Sequence, residues 1–346
     1  MRRFPIILVV LLAFLSAEQG VRAQSLAYGL FERYLDPLRT QAGIPGLAAA
    51  IVQNGRVVWE REFGTADVER SIAVRPDTPF FIADMSQMFG ATLLMQCVER
   101  GELTLDDRLN RWTSVLPESG ATVRQALTHT TTGAYVYDPR RFAALTDAIE
   151  AYNDEPYRLT VTRSILGRLA MTSSAPGHDL EQPSAAVREL FEPGEIARFQ
   201  DVMRRMALPY RVDGRGRATR TEFPVHPIDA STGIVSTIGD LARFDAALDD
   251  GVLLGREHLA YMRTGAQPGT PTGLGWYVQA YNGERLVWHF GLVPGAYSSL
   301  FLKVPSRNLT LILLANSDGL SGPFALERGD VTTSIFAKLF LSLFVS

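Results

Sequence analysis

Apolar and polar positions recur with two different periods along this chain, and the changes of period predict its elements. Residues 25–43 carry apolar side chains at helical spacing and end on a glycine, which predicts a first helix. Residues 46–52 and 56–63 are short apolar or alternating runs joined by Asn54-Gly55, a turn sequence typical of a β-hairpin. The chain is therefore expected to begin with a helix followed by a hairpin.

The middle of the chain has the helical period, and the part near its end returns to the strand period. From residue 76 to about residue 220 the pattern is mainly helical, and strand patterns return over 277–281, 286–289, 296–304 and 309–315. Residues 332–345 form a last apolar helical pattern, too short to span a bilayer, which favours packing on the sheet. We expect an α/β fold of the α+β type, in which an antiparallel sheet from both chain ends is flanked by the terminal helices and interrupted by a mainly helical inserted region.

The first residues have the pattern of an export signal. Two arginines precede an apolar run over 4–15 that is shorter than a membrane span, and a small residue, Ala23, ends the segment. We expect residues 1–23 to be a signal peptide, either cleaved or kept as an anchor, and the protein to be periplasmic or secreted. Residues 24–346 then form one domain, with a sheet region at 24–75 and 233–346 and a mainly helical region at 76–232.

Composition and charge exclude several classes of function. The formal net charge is −3, and the chain has no runs of Lys or Arg that would attract nucleic acid or an anionic membrane. Its five histidines show no metal-ligand spacing, so no metal and no other cofactor is expected. The single cysteine, Cys97, lies among apolar residues and is predicted to be a buried core thiol.

Five segments of this chain resemble, in the same order, segments of one enzyme family. They are residues 46–52, 78–83, 94–105, 126–130 and 230–244. On these segments the chain is similar to class C β-lactamases, D-alanyl-D-alanine carboxypeptidases and related esterases, from about Leu26 to the C-terminus. The resemblance implies the β-lactamase/transpeptidase-like fold and a serine hydrolase site built from three motifs, S-x-x-K, Y-x-N and K-T-G or H-T-G.

The first of these motifs has lost both of its reacting groups. The chain has Asp84 and Gln87 where the family has a serine that attacks an acyl carbonyl and a lysine that helps to remove its proton. The spacing of three residues still predicts that both side chains share one helix face. Ser86 is a poor substitute nucleophile, because it lies about 200° around an α-helix from residue 84.

The other two motifs are also altered. Tyr137 stands for the tyrosine of Y-x-N, which the resemblance places near the nucleophile in proton transfer, but Pro139 replaces the asparagine and cannot donate a hydrogen bond. His289, Phe290 and Gly291 resemble H-T-G. Phe290 removes a hydroxyl that would help to hold a substrate carboxylate, whereas the glycine would let a substrate lie against the strand.

The resemblance also indicates where an oxyanion hole would lie. The backbone N–H groups of Leu292 and of residue 84 would form it together. A carboxylate at Asp84 would sit at a helix N-terminus, which favours negative charge. We therefore expect Asp84 to fill its own oxyanion hole as a structural anion, with Gln87 or Tyr137 donating to it.

These losses point to a protein without turnover. Removal of a catalytic group from a serine hydrolase costs on the order of 10³ to 10⁶ in rate, so an exported, catalytically inactive homologue is predicted, with a cleft for a small acyl or peptide-like ligand. Two alternatives stay open. The first is an active esterase, peptidase or β-lactamase-like hydrolase in which Asp84 acts as nucleophile or base, with Tyr137 or His289 as a second base. The second is a scaffold for a protein partner that the sequence does not identify.

Overall fold

The structure is a computed structural model that describes residues 25–118, 120–223, 227–265 and 269–345 of the chain. The predicted signal peptide lies outside these residues. The described helices are α1 (25–41), α2 (Gln87–Glu99), α3 (Val123–Leu127), α4 (Pro139–Ala143), α5 (Leu145–Asn153), α6 (Tyr157–Val161, continued by a π-helical turn Thr162–Gly167), α7 (Ala185–Arg188), α8 (Pro193–Arg205), α9 (Ile238–Asp249), α10 (Arg256–Met262) and α11 (Ile335–Phe344).

The strands form one large sheet and two small ones. They are β1 (Gly46–Gln53), β2 (Arg56–Asp67), β3 (Ile72–Ala73), β4 (Phe80–Phe81), β5 (Ala175–Pro176), β6 (Tyr210–Val212), β7 (Ala218–Arg220), β8 (Ile234–Ser236), β9 (Tyr277–Tyr281), β10 (Glu284–Val293), β11 (Tyr297–Val304) and β12 (Leu309–Ala315). The seven-stranded sheet has the order β3-β2-β1-β12-β11-β10-β9, and its strand pairs are antiparallel. Pairing of β1 with β12 joins the two ends of the chain, as the sequence predicts.

Alternation along β1 gives the large sheet two apolar faces. Leu47, Ala49 and Ile51 pack with α1 and α11 on one face, and the intervening alanines pack with α2 and α9 on the other. Because successive side chains of a strand point to opposite faces, a central strand covered on both sides has to be apolar throughout. The terminal helices therefore cover one side of the sheet, and α2 of the inserted region together with α9 covers the other. This confirms the antiparallel sheet flanked by the terminal helices, but α9 and α10 lie within 233–262, which the sequence assigns to the sheet region.

The predicted bounds are correct where the apolar pattern is regular. β9 and β12 span the residues that the alternation predicts, and the first helix is two residues shorter than expected. The last helix begins later, because Val331–Thr333 form a 3₁₀ turn and the side chain of Ser334 caps α11 by accepting from the N–H of Ala337. Cys97 is buried, as predicted.

The region at 76–232 is less uniformly helical than the sequence predicts. It contains β4 and β5, which pair with β8 in a three-stranded sheet, and a β6–β7 hairpin. Strands of two or three residues are too short to show a period, so the pattern could not reveal them. Within the described ranges, no helix combines the length and the apolar character needed to cross a membrane.

Candidate active site

Asp84 lies in a 3₁₀ turn, Ala83–Ser86, between β4 and α2. Ala83 enters this turn with φ of 51°, a left-handed conformation that non-glycine residues rarely adopt. Side chains three residues apart eclipse each other in a 3₁₀ helix, so Asp84 and Gln87 point the same way. Ser86 points elsewhere, since its hydroxyl is buried and accepts from the N–H of Ile234 at 3.2 Å.

Strand β10 approaches this turn closely because residue 291 has no side chain. A Cβ on Gly291 would lie 2.1 Å from the carbonyl oxygen of Ile82 and 2.4 Å from Oγ of Ser299. Any larger residue would therefore force the strand away from the turn. The close approach brings the N–H of Leu292 to the carboxyl group of Asp84, which accepts a hydrogen bond from it.

The Asp84 carboxyl is surrounded by donors that carry no charge. Hydrogen bonding to the N–H of Leu292, to the hydroxyl of Tyr137 and to its own N–H lowers the pKa of this carboxyl. The two amides are the groups that the sequence assigns to an oxyanion hole, so the side chain at the nucleophile position lies where an oxyanion would lie.

Burial nevertheless changes the ionisation of this carboxyl. Desolvation, with a smaller contribution from the negative charge of Asp229, raises the pKa of Asp84 to about 7 against the opposing effect of its three donors. The described groups that set this pKa belong to Leu292, Tyr137, Asp229 and Asp84 itself, and none of them is a cation. The expectation of a permanent structural anion therefore needs correction, because the group gains a proton near neutral pH.

A chain of hydrogen bonds runs from the backbone of Asp138 through three side chains to Asp84. The N–H of Asp138 donates to Nδ1 of His129 at 3.3 Å, which leaves the ring proton on Nε2. Nε2 lies 3.1 Å from Oε1 of Gln87, and Nε2 of Gln87 donates to the hydroxyl oxygen of Tyr137 at 3.3 Å. Since that oxygen accepts from Gln87, its own proton is free to point to Asp84.

His129 belongs to the site although no catalytic motif of the sequence includes it. Burial, followed by repulsion from His289, lowers the pKa of His129 to about 3, so its ring stays neutral and keeps one donor and one acceptor. It lies in the 126–130 segment that carries part of the family resemblance. That position was the available signal, but the contact with Gln87 depends on tertiary structure.

The remaining predicted site residues have different surroundings. His289 is buried, its Nδ1 donates to the carbonyl oxygen of Phe290 at 2.7 Å, and burial lowers the pKa of its ring to about 4. Phe290 is a core residue whose ring centroid lies 5.4 Å from that of Tyr137. Pro139 is the first residue of α4, after the capping side chain of Asp138, and a proline at this position sacrifices no helical hydrogen bond.

The chemistry open to this arrangement is limited. Burial and the nearby Asp84 raise the pKa of Tyr137 well above its ordinary value, so the phenol keeps its proton and serves as a donor. Among the described residues, no three His, Cys, Asp or Glu side chains are grouped so that they could hold a metal ion. The cluster thus presents one carboxyl that can exchange a proton near pH 7 among neutral hydrogen-bonding groups.

Comparison with known proteins identifies the family. A family model described as Beta-lactamase matches residues 31–331. The chain belongs to the β-lactamase family. This member is 27% identical to penicillin-binding protein 4 of Amycolatopsis lactamdurans over 90% of its own length and 88% of that protein. It is 25% identical to penicillin-binding protein 4* of Bacillus subtilis (strain 168), over 77% of this chain and 67% of that one.

Solved structures share the fold of this β-lactamase-family chain. An octameric penicillin-binding protein homologue from Pyrococcus abyssi has a TM-score of 0.71 and 22% identity, covering 91% of this chain and 77% of that one. D-amino acid amidase from Ochrobactrum anthropi SV3 has a TM-score of 0.68 and 21% identity, covering 89% and 97%. At these identities the likeness establishes the fold alone.

Proposed function

We propose that this protein is an exported member of the β-lactamase family that lacks acyl-transfer activity. Its nucleophile position is closed by the Asp84 carboxyl, and its cleft is kept for binding a small acyl or peptide-like ligand. Export is proposed from the signal-like pattern of residues 1–23 and is supported by the likeness to penicillin-binding proteins.

The observation that carries this proposal is the position of the Asp84 carboxyl. Hydrogen bonding to the N–H of Leu292 and to its own N–H lowers the pKa of this carboxyl, so the side chain lies beside both donors of the oxyanion hole before any substrate arrives. Acyl transfer needs these donors to be free for the developing oxyanion, and loss of one such donor typically costs about 10² to 10³ in rate. Gln87 adds a second obstacle, because its amide cannot accept a proton as the lysine of S-x-x-K does.

An active hydrolase based on Asp84 is a second candidate, favoured by one observation. A carboxyl with a pKa of about 7 is suited to general acid or base chemistry near neutral pH. Its two motif-placed helpers are poor bases, however. Tyr137 holds its proton tightly, and the Nδ1 of His289 is committed to a backbone carbonyl while burial lowers the pKa of the ring to about 4.

The experiment that tests the proposal measures both adduct formation and turnover. The mature chain would be incubated with a fluorescent penicillin and with a reactive aryl ester, while product release is followed and the intact protein is weighed by mass spectrometry. The parallel variants are Asp84→Ser/Gln87→Lys, which restores both reacting groups, and Asp84→Ser alone as its matched control. We expect no adduct and no turnover from the parent, and a serine-linked adduct from the double variant only.

Three results decide among the candidates. Turnover by the parent that disappears in Asp84→Asn would overturn the proposal in favour of Asp84 chemistry. An adduct on the double variant would support a cleft that still admits acyl ligands, whereas a folded double variant that acylates with neither reagent would contradict ligand binding there. A scaffold role predicts instead that a protein partner bound by the chain stays bound in all three variants.

A further inference from the structure

A cavity of about 300 Å³ lies where the helical region meets the small sheets, apart from the Asp84 cluster. Its floor is apolar: Met203, Met206 and Pro209 are buried, and the ring of Phe223 closes one side. Small-molecule sites in proteins occupy about 300–1,000 Å³, so this cavity suits a molecule of roughly the size of one amino acid.

Phe223 and His178 line the cavity and pack with aromatic rings of the core behind them. The ring centroid of Phe223 lies 5.0 Å from that of His178, 5.1 Å from that of Phe81 and 5.3 Å from that of Tyr297. Aromatic and thioether side chains together form a surface that receives a flat apolar group well. The floor and wall therefore select a ligand with an aromatic or similarly bulky apolar side chain.

The rim of the cavity carries charges of both signs. Glu181 and Glu222 supply two carboxylates and Arg220 supplies a guanidinium, and all three side chains are exposed. Within the described ranges, none of the three forms a side-chain hydrogen bond or ion pair. The charges of Glu181 and Arg220 both act on the pKa of Tyr297, the first raising it and the second lowering it.

His178 adds a polar atom that lacks a partner. Its Nδ1 is buried and has no hydrogen-bond partner in the described structure, although the residue lines the cavity. Burial lowers the pKa of this ring, so the imidazole is neutral at neutral pH. A buried polar atom without a partner is costly, and a polar group on a bound molecule would satisfy it.

We propose that this cavity binds a zwitterion with an apolar side chain, of the size of a free aromatic amino acid. The side chain would lie on the Met203, Met206 and Phe223 surface, the ammonium group beside Glu181 and Glu222, and the carboxylate beside Arg220. The assignment goes beyond the function proposed for the Asp84 site and does not depend on whether that site is catalytic.

Isothermal titration calorimetry with three probes of one shape tests this assignment. Phenylalanine, as each enantiomer, carries both charges, whereas phenethylamine lacks the carboxylate and 3-phenylpropanoate lacks the ammonium group. We expect one enantiomer of phenylalanine to bind saturably and about tenfold more tightly than either singly charged analogue, the effect of one hydrogen bond to a charged group. Equal affinity for all three probes would contradict the charged rim, and no saturable binding of either enantiomer would overturn the proposal.

Three variants locate the binding. Arg220→Gln should weaken phenylalanine about tenfold and leave phenethylamine unchanged, because only the carboxylate loses its partner. Arg217→Gln removes an exposed arginine from the loop between β6 and β7, outside the residues that line the cavity, and should change neither probe. Asp84→Asn should also leave binding intact. If phenylalanine binding is lost in Asp84→Asn but kept in Arg220→Gln, the ligand occupies the Asp84 cluster and the proposal fails.

Discussion

Two carboxylate clusters in this protein, each largely but not completely removed from water, differ in how their charge is balanced. Beside the large sheet, Nζ of Lys303 lies 2.7 Å from Oδ1 of Asp245 and 2.6 Å from Oδ2 of Asp249, whose other oxygen accepts from Arg263 at 2.8 Å. At the nucleophile position, the donors that lower the pKa of Asp84 are the neutral groups of Leu292, Tyr137 and Asp84 itself. One cluster therefore balances its charges with cations, and the other does not.

The difference appears in the ionisation of the two sites. Desolvation raises the pKa of Asp249, but the charges of Lys303 and Arg263 outweigh it and the net shift is downward. Desolvation of Asp84 is opposed by hydrogen bonds from neutral groups, and the pKa rises to about 7. Neutral donors alone do not compensate for burial of a carboxylate here. The family's lysine would have supplied a cation at residue 87.

The largest expected effect comes from removing the cation of the balanced cluster. Lys303→Met should lower the free energy of unfolding by about 3–5 kcal/mol, because it leaves buried carboxylates without their partner. Chemical denaturation at pH 7 measures this loss. The matched control is Lys338→Met, since Lys338 is exposed on α11 and its replacement should change stability by less than about 0.5 kcal/mol. Equal effects of the two variants would show that Lys303 is not needed for charge balance.

A smaller effect, with a definite pH dependence, is expected from Asp84→Asn. The folded-state pKa of about 7 exceeds the ordinary value of 3.8, so the folded state binds more protons than the unfolded state between these values. The parent should therefore lose stability as pH rises from 4 to 7, and the variant should lack this loss. At pH 8 we expect the variant to be more stable by on the order of 2 kcal/mol, reduced from the full shift because the side chain is partly exposed.

Denaturation curves of parent and variant from pH 4 to pH 9 check this prediction. The difference between the two proteins is the useful quantity, because buried neutral histidines such as His129 and His289 affect both equally. Asp250→Asn, an equal charge change at the exposed end of α9, serves as the control. Parallel curves for parent and Asp84→Asn would mean that the Asp84 carboxyl is not raised in pKa by folding.

The sequence predicted the sheet better than it predicted the site. β9 and β12 follow from alternation and turn residues, which are local signals. Motif order also indicated that Asp84, Gln87, Tyr137 and the Leu292 amide would lie together, and in the structure they do. The ionisation of Asp84 could not be predicted in this way, because it depends on burial and on a missing cation, which are properties of the folded surroundings.

The hydrogen bond between His129 and Gln87 could not be predicted from the sequence either. It requires the ring proton on Nε2, and that choice is set by the N–H of Asp138 nine residues further along the chain. Asp229, which raises the pKa of Asp84, comes from a loop just before β8 and carries no motif signal. Polar contacts between distant segments thus mark the limit of what the pattern of this chain can predict.

The most direct way to make the two clusters alike is to restore a cation beside Asp84. In Gln87→Lys, we expect the ammonium group to lower the pKa of Asp84 by about one unit or more, as a neighbouring cation does for other carboxyl groups. The titration of the Asp84 carboxyl carbon, followed by ¹³C NMR, measures the shift. Gln87→Met keeps a similar length without the charge and should leave the pKa raised. If the two variants titrate alike, hydrogen bonding and burial, rather than the absent cation, determine the ionisation of Asp84.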